Sequence, residues 1–224
     1  MKACARVFTI VLLGVGVTIA LCSRASAQQG FYADIHSGLS LFDDAQTRVV
    51  VPDEANLHAH TNYDPGWLVG AAGGYDWPFG LALEEEFTFR DSKIDRIATD
   101  VPLLKDGEAY SYAMMTNGYY RYHNSTPFTP YIGGGVGEAV VQLSNLKPVG
   151  AVGTYGGTDA EFAYQGIAGV EYRLTPQLSL GAEYRYFATI RPGFVSSVAG
   201  VDNVHVSPDY RSNNAMLKMV YHFE

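Results

Sequence analysis

The stretch that decides the fold is Phe162–Phe187, FAYQGIAGVEYRLTPQLSLGAEYRYF, in which apolar and polar residues alternate along two runs. The runs are separated by a short turn at Leu174–Gln177. A period of two places alternate side chains on opposite faces of a β-strand, so the stretch predicts an antiparallel hairpin. One face is apolar and aromatic, and the other carries glycines and charges of both signs. A soluble sheet shows such a polar face to water, whereas a small transmembrane barrel encloses it.

The N-terminus has the pattern of a secretory signal peptide. The basic residues Lys2 and Arg6 precede the apolar stretch Val7–Leu21, and Ala25–Ala27 reads ASA, an A-x-A cleavage site. The apolar stretch is shorter than the ~20 residues of a membrane-spanning helix, which disfavours an uncleaved anchor. We therefore expect residues 1–27 to be removed on export.

The mature chain, residues 28–224, is expected to form a single domain. Both cysteines, Cys4 and Cys22, lie in the segment that is removed. An exported chain without disulfides depends on its own hydrogen bonds and packing, which a closed barrel supplies. The formal net charge of −8 becomes −11 once the three basic residues of the first 27 are lost. A charge of that sign argues against nucleic acid as a partner.

Alternation recurs along the whole mature chain and predicts eight strands. Six lie outside the opening hairpin, at Gly30–Phe42, Gly66–Tyr75, Leu81–Arg90, Tyr110–Tyr122, Thr129–Leu143 and Tyr210–Phe223. Four long polar connections, at residues 43–65, 91–109, 144–161 and 188–209, interleave with three short turns. Long loops outside the cell and short periplasmic turns are typical of outer-membrane barrels. The prediction is an all-β fold, an eight-stranded antiparallel up-and-down transmembrane β-barrel.

The polar faces of these strands predict a charge network inside the barrel. A lumen of eight strands is narrow and filled by side chains, and buried charges are costly unless they are paired. Equal numbers of acidic and basic residues fit a paired interior; the alternative is a solvated face of a soluble sheet. The predicted network comprises Glu84, Glu86, Arg90, Arg121, Glu138, Glu171, Arg173, Glu183, Arg185 and Lys218.

One charged residue breaks the alternation. Strict phase puts Glu85 on the lipid face of the third predicted strand, where a charge is costly away from the interface. Either a bulge at Glu84–Glu86 shifts the phase, or Glu85 lies near the periplasmic rim.

Three segments together resemble a known family. They are TPYIGGGVG at Thr129–Gly137, the opening hairpin, and AMLKMVYHF at Ala215–Phe223. They are similar to the small outer-membrane β-barrel proteins (porin-like, OmpA-type surface antigens) of Gram-negative bacteria. The resemblance implies a barrel in contact with outer-membrane lipid and lipopolysaccharide, inserted by the barrel-assembly machinery. That machinery recognises a last strand with a terminal aromatic, here Tyr221 and Phe223, although Glu224 follows. The family implies no shared catalytic residue and no cofactor.

Two histidine motifs are candidate sites of chemistry. His58 and His60 could ligate a metal, but no third ligand has a defined spacing, so a solvated loop is preferred and no metal is expected. His205 and Ser207 could serve an outer-membrane lipid A-modifying hydrolase, since a serine nucleophile needs a nearby base. However, Pro208 follows, the segment reads as a loop, and no orienting acid is identifiable.

These observations predict a non-enzymatic surface protein with a side-chain-filled lumen. Its expected role is structural, antigenic or adhesive, with a host or envelope ligand bound through the four long loops. Two alternatives stay open at this point. One is the lipid A-modifying hydrolase, and the other is a soluble exported lipocalin-like barrel whose apolar face is turned inward.

Overall fold

Every regular element that the computed structural model describes is a β-strand. The described residues are 30–42, 45–50, 57–98, 102–148, 155–190, 194–198, 201–208 and 210–223. Among them no helix is long and apolar enough to cross a membrane. The strands are β1 (Gly30–Phe42), β2 (Ala45–Val50), β3 (Leu57–Tyr63), β4 (Gly66–Asp76), β5 (Leu81–Ala98), β6 (Pro102–Arg121), β7 (Phe128–Pro148), β8 (Tyr155–Arg173), β9 (Leu178–Thr189), β10 (Phe194–Val198), β11 (Val201–Pro208) and β12 (Arg211–His222).

Eight of these strands close into a ring. In order around the ring they are β1, β4, β5, β6, β7, β8, β9 and β12, and each pairs antiparallel with both neighbours. The first and last strands lie side by side, and the β5–β6 pairing completes the circle. A closed ring leaves no unpaired edge, which is the condition for crossing lipid with strands. The predicted eight-stranded antiparallel barrel is confirmed.

The apolar face of the barrel points outward. Leu217 is 72% exposed, Ile132 65% and Ile35 60%, whereas Glu84 and Arg185 are each 1% exposed in the interior. A lipocalin-like barrel has the opposite arrangement, with an apolar cavity and a polar exterior. The alternative of a soluble binding barrel is therefore wrong.

Aromatic side chains form two bands on the outer surface, one at each end of the membrane-spanning strands. At the end with the short turns, the Phe128 ring lies 4.9 Å from the Tyr172 ring. At the other end, the Phe89 ring lies 5.5 Å from Trp67 and 5.0 Å from Tyr112. Amphipathic rings collect at membrane–water interfaces, so the two bands mark the boundaries of the bilayer.

The sheet continues beyond the outer aromatic band. Strands β5 to β8 are 18–21 residues long, against 11–13 for β1, β4, β9 and β12. The short strands β2, β3, β10 and β11 extend this projecting part, with β3 paired to the outer end of β5. The prediction that residues 43–65, 91–109, 144–161 and 188–209 are loops is wrong over these strands. We call the projecting strands the extracellular extension.

Glu85 points outward at mid-depth of the membrane. The register is unbroken through Glu84 and Glu86 on both neighbouring strands, so no bulge shifts the phase. Glu85 pairs with Thr116, which lies four residues from Tyr112 and four from Tyr120. At ~3.3 Å per residue the carboxylate is about 13 Å along the strand from each aromatic band. Both expectations for Glu85 are wrong; its partner is the Thr116 hydroxyl, which donates to it at 2.7 Å.

Glu138 corrects the predicted phase of β7. Tyr131 and Ala139 point into the barrel and are buried, whereas Ile132, Val136 and Glu138 are exposed on the outer face. Predicting Glu138 in the lumen was wrong. The glycines that precede it have no side chains, so they do not indicate which face of the strand points inward. Apolar residues lie on both faces of this strand, so its sequence fits either face pointing into the lumen.

Replacing Glu85 by Leu is expected to stabilise the barrel in phospholipid vesicles. The substitution removes a carboxylate from mid-depth lipid, a position that costs about 2–4 kcal/mol for Arg or Lys and less for an acid. We expect the free energy of unfolding in urea to rise by about 1–2 kcal/mol. Glu85→Gln, which removes the charge but keeps a polar group, should give a smaller gain. A loss of stability in both variants would contradict the lipid-facing placement.

Candidate functional site

The lumen is filled by charged and polar side chains from all eight barrel strands. Among the described residues it holds six buried acids, four buried Arg or Lys side chains and two buried histidines, each at most 5% exposed. The excess of acids over Arg and Lys differs from the equal numbers expected from the sequence. The acids are Asp34, Asp76, Glu84, Glu86, Glu171 and Glu183, the Arg and Lys residues are Arg90, Arg121, Arg185 and Lys218, and the histidines are His36 and His222.

Glu86 lies at the centre of the network and uses both of its oxygens twice. Oε1 accepts from the Arg185 guanidinium and from the Thr88 hydroxyl. Oε2 accepts from Asn117 Nδ2 at 2.7 Å and from Gln165 Nε2 at 3.2 Å. A carboxylate offers about four lone-pair positions, so Glu86 is fully satisfied although it is removed from water.

Two cations connect Glu86 to the other central acids. Arg185 also donates to Glu183 Oε1, from Nη2 at 2.5 Å and from Nε at 3.0 Å. Lys218 Nζ lies 3.1 Å from Asp34 Oδ2 and 3.8 Å from Glu183 Oε2. Glu86, Arg185, Glu183, Lys218 and Asp34 therefore form a continuous chain of ion pairs across the barrel, which we call the central network.

Tyrosine hydroxyls donate to further carboxylate oxygens of this region. Tyr32 and Tyr119 donate to Glu84 at 2.9 and 2.7 Å, and Tyr131 donates to Glu183 at 2.8 Å. The sequence interpretation missed these residues, and it placed Tyr131 on the lipid face. Tyr32 shares its strand phase with the buried Asp34, and Tyr119 shares its phase with the buried Asn117 and Arg121, which is the signal that could have identified them.

A second cluster closes the periplasmic end of the lumen. Arg121 Nη1 donates to both oxygens of Glu171 at 2.9 Å, and its Nε lies 3.5 Å from Asp76 Oδ2. The Arg121 guanidinium also lies 4.8 Å from the centre of the Tyr32 ring. One guanidinium therefore contacts two acids and an aromatic ring. Together these side chains fill the periplasmic end of the lumen.

Two basic side chains lie below this cluster, at the rim. Arg173 is half-buried, and its Nη2 reaches the Thr126 carbonyl oxygen at 3.5 Å, so it does not join the network. His123, in the turn after β6, lies 3.8 Å from Asp76. Partial burial lowers the pKa of His123 below its usual value, and the nearby Arg121 charge adds to this. The His123 ring is therefore neutral near pH 7 and does not form a charged pair with Asp76.

Arg90 stands apart at the extracellular end of the lumen. Its guanidinium carbon lies 4.0 Å from the centre of the Phe187 ring, on the opposite wall of the barrel. At the same end Tyr210 spans the lumen and donates to Ser111 Oγ at 3.0 Å. The structure thus joins seven of the ten predicted residues to the central network or to the periplasmic cluster by ion pairs. They are Glu84, Glu86, Glu183, Arg185, Lys218, Arg121 and Glu171.

Glu84 is held in the same region by hydrogen bonds, and Lys218 Nζ lies 3.9 Å from one of its oxygens. The remaining three predicted residues lie elsewhere: Arg90 at the extracellular end, Arg173 at the rim and Glu138 on the outer surface.

The two histidine motifs both lie on short strands of the extracellular extension. On β3, His58 is in register with Arg48 and His60 with Gln46. In the part of the chain that the structure describes, no group of three or more His, Cys, Asp or Glu could hold a metal ion. His205 lies on β11, so the prediction that this segment is a loop is wrong.

Comparison with known proteins identifies the family. A family model described as outer membrane protein beta-barrel domain matches residues 10–223. The chain belongs to the outer-membrane β-barrel proteins. Outer membrane protein PagN of Salmonella typhimurium is 31% identical over 232 residues, covering 92% of this chain and 95% of that protein.

Solved structures of other outer-membrane proteins share the fold. OprG of Pseudomonas aeruginosa superposes with a TM-score of 0.59 at 13% identity, covering 87% of this chain and 98% of that one. AlkL in lipid bilayers gives a TM-score of 0.50 at 17% identity, covering 92% of this chain and 96% of that one. The predicted family and the outer-membrane location are confirmed.

Replacing Arg185 by Leu is expected to destabilise this barrel by about 3–5 kcal/mol, because it leaves Glu86 buried without its closest cation and Glu183 with only the more distant Lys218. Arg173→Leu is the matched control, since it removes the same charge from the half-exposed rim and should cost less than ~1 kcal/mol. The loss of heat-modifiable mobility on a detergent gel, followed against temperature, measures both variants. Equal melting of Arg185→Leu and the wild type would show that the central network contributes nothing to stability.

Proposed function

We propose that this outer-membrane barrel is a non-enzymatic surface protein that binds a host or envelope partner through its extracellular extension. The main support for the proposal is the length of β5 to β8, which project past the outer aromatic band. Eight residues of β5 lie beyond Arg90, which at ~3.3 Å per residue is about 26 Å of strand. A rigid sheet of that height presents a surface that is useful only outside the membrane.

The side chains of the extension fit an aqueous contact surface. Lys93, Gln142 and Lys147 are exposed, and Asn145 donates to Glu108 Oε2 at 2.9 Å. Exposed polar groups on a fixed backbone give partner binding a low entropic cost, because the strands are ordered before contact. An adhesive or antigenic role fits this surface.

The filled lumen supports a structural role for the barrel itself. Ion pairs cross the interior at two levels, with Arg185 and Lys218 at the centre and Arg121 at the periplasmic end. A continuous aqueous path would require these pairs to separate, which is costly in the low-dielectric interior. We therefore assign the barrel the function of a stable base, not of a channel for solutes.

Two envelope partners belong to the same proposal. Outer-membrane lipid and lipopolysaccharide would contact the apolar band and the outer aromatic residues. The barrel-assembly machinery would recognise β12 through Tyr221 and Phe223, which face outward with rings 5.2 Å apart. Glu224 lies outside the described residues.

The alternative of a lipid A-modifying hydrolase receives no support from the register of β11. His205 pairs with Val195 and Val50, and Ser207 pairs with Arg48, so no acid lies opposite either residue in the described pairings. Mass spectrometry of lipid A decides between the two functions. Lipid A that is identical in cells with the wild type, with Ser207→Ala and without the protein supports the non-enzymatic proposal. A modification lost only in the last two would establish the hydrolase.

Trimming the extension tests the adhesive function. Replacing Ile94–Gly107 by Asn-Gly, the residues that favour a two-residue hairpin turn, joins Lys93 to its register partner Glu108 and shortens the β5–β6 hairpin to near the height of the barrel. We expect bacteria with the trimmed protein to lose most of the host-cell binding that the full-length protein confers. Cells with Arg173→Leu are the control, because that substitution lies at the periplasmic rim. Unchanged binding by correctly folded trimmed protein would refute the role of this hairpin.

Replacing Phe223 by Ala tests the insertion signal. We expect slower folding into vesicles that contain the barrel-assembly machinery, with little change in vesicles without it. Leu217→Ala removes a more exposed apolar side chain from the same strand and should not show this difference. Equal slowing of the two variants would mean that only apolar area, not a terminal aromatic, is recognised.

A further inference from the structure

Arg90 differs from the other buried cations of the described lumen in having no hydrogen-bonding partner. Arg121, Arg185 and Lys218 each have a carboxylate oxygen within 3.1 Å. Nε, Nη1 and Nη2 of Arg90 are all buried, and none makes a hydrogen bond. A guanidinium carries five N–H donors and no acceptor, so leaving them all unpaired away from water is a large cost that requires an explanation.

The Phe187 ring explains only part of that cost. It lies against the guanidinium at 4.0 Å and is fully buried, so it covers one face of the group. Such a cation–π contact is worth about 2 kcal/mol when it is desolvated. It leaves the N–H bonds unsatisfied, because they point outward in the plane of the guanidinium and not toward the ring.

Glu86, the nearest buried acid on the same strand, is already occupied. It lies four residues from Arg90, so the Cα atoms of the two residues are about 13 Å apart along β5. Its four acceptor positions are used by Arg185, Thr88, Asn117 and Gln165, so Arg90 could bind it only by displacing one of these donors. The charge of Glu86 therefore acts on Arg90 without accepting a hydrogen bond from it.

Other groups at this level also donate. Ser111 is directly opposite Arg90 in register. Its Oγ accepts a hydrogen bond from the Tyr210 hydroxyl, so the hydroxyl hydrogen of Ser111 is available for donation to another group. The Thr189 hydroxyl, two residues beyond Phe187 on the same face of β9, is buried without a partner. A water molecule here would need acceptors for its own two hydrogens, whereas an anion accepts from every one of these groups.

We propose that Arg90 and Ser111 bind a small inorganic anion, of the size and charge of chloride, at the extracellular end of the lumen. Arg90, Ser111 and Phe187 are each fully buried, which limits the occupant to a compact ion. The neighbouring outward residues Phe89 and Tyr112 belong to the outer aromatic band, so the site lies level with the outer membrane boundary. The ion reaches it from outside the cell.

Urea unfolding of the protein in phosphatidylcholine vesicles tests this site. The titration replaces sodium gluconate by sodium chloride at constant ionic strength, since gluconate is too large to enter. We expect the unfolding midpoint of the wild type to rise with the logarithm of chloride concentration, because the ion binds only the folded state. Arg90→Met should abolish the rise. Lys93→Met removes the same charge from an exposed residue of the same strand and should retain it.

A wild-type midpoint that is the same in chloride and gluconate would overturn the proposal, as would an equal rise in Arg90→Met. A second measurement does not depend on that variant folding. Crystals of the wild-type protein grown in sodium bromide should show an anomalous scattering peak within hydrogen-bonding distance of the Arg90 guanidinium and Ser111 Oγ. Ordered side chains at this position without such a peak would equally refute the site.

Discussion

Lipid offers no hydrogen-bond donors or acceptors, and the rest of this structure depends on that constraint. Every backbone N–H and C=O group within the bilayer must find a partner in the chain itself. The pairing of β5 with β6 completes a ring in which each membrane strand has two neighbours. Once the ring is closed, the alternation of a β-strand leaves one face for lipid and one for an interior too narrow for bulk water.

The interior then has to satisfy its own polar groups. Charged side chains from opposite walls meet at its centre, and neutral donors fill the remaining acceptor positions, as Asn117 and Gln165 do at Glu86. Tyr119 and Tyr131 reach in from β6 and β7 to acids on other strands. Removing one member leaves its partners buried and unsatisfied, which makes the network a cooperative unit whose contributions do not add.

Local patterns in the sequence were enough to predict the ring of strands. They did not correctly predict, for every strand, which face points into the lumen. On β8 and β9 the alternation is continuous, and Glu171, Glu183 and Arg185 lie inside as predicted by phase. On β7 the run Gly133–Gly135 interrupts the pattern, so Glu138 was assigned to the wrong face. At Glu85 the phase was right, and the sequence offered no reason for a carboxylate at mid-depth in lipid.

Contacts between distant segments could not be predicted. The strands of the extracellular extension arise because β2, β3, β10 and β11, from the first and last long connections, pair with one another and with β5. No short-range periodicity reports such pairing. The same holds for the lumen, where Arg90 meets Phe187 across the barrel although nearly a hundred residues separate them in the chain.

The extension and the membrane barrel share the same strands, and this has a mechanical consequence. Strands β5 to β8 run from the periplasmic turns to the outermost sheet as single elements of 18–21 residues. A pull on the tip of the sheet, directed away from the cell, is carried along these strands. Their hydrogen bonds lie across that direction and are loaded together in shear, not opened one at a time. A load applied at the tip would therefore meet the resistance of many hydrogen bonds at once.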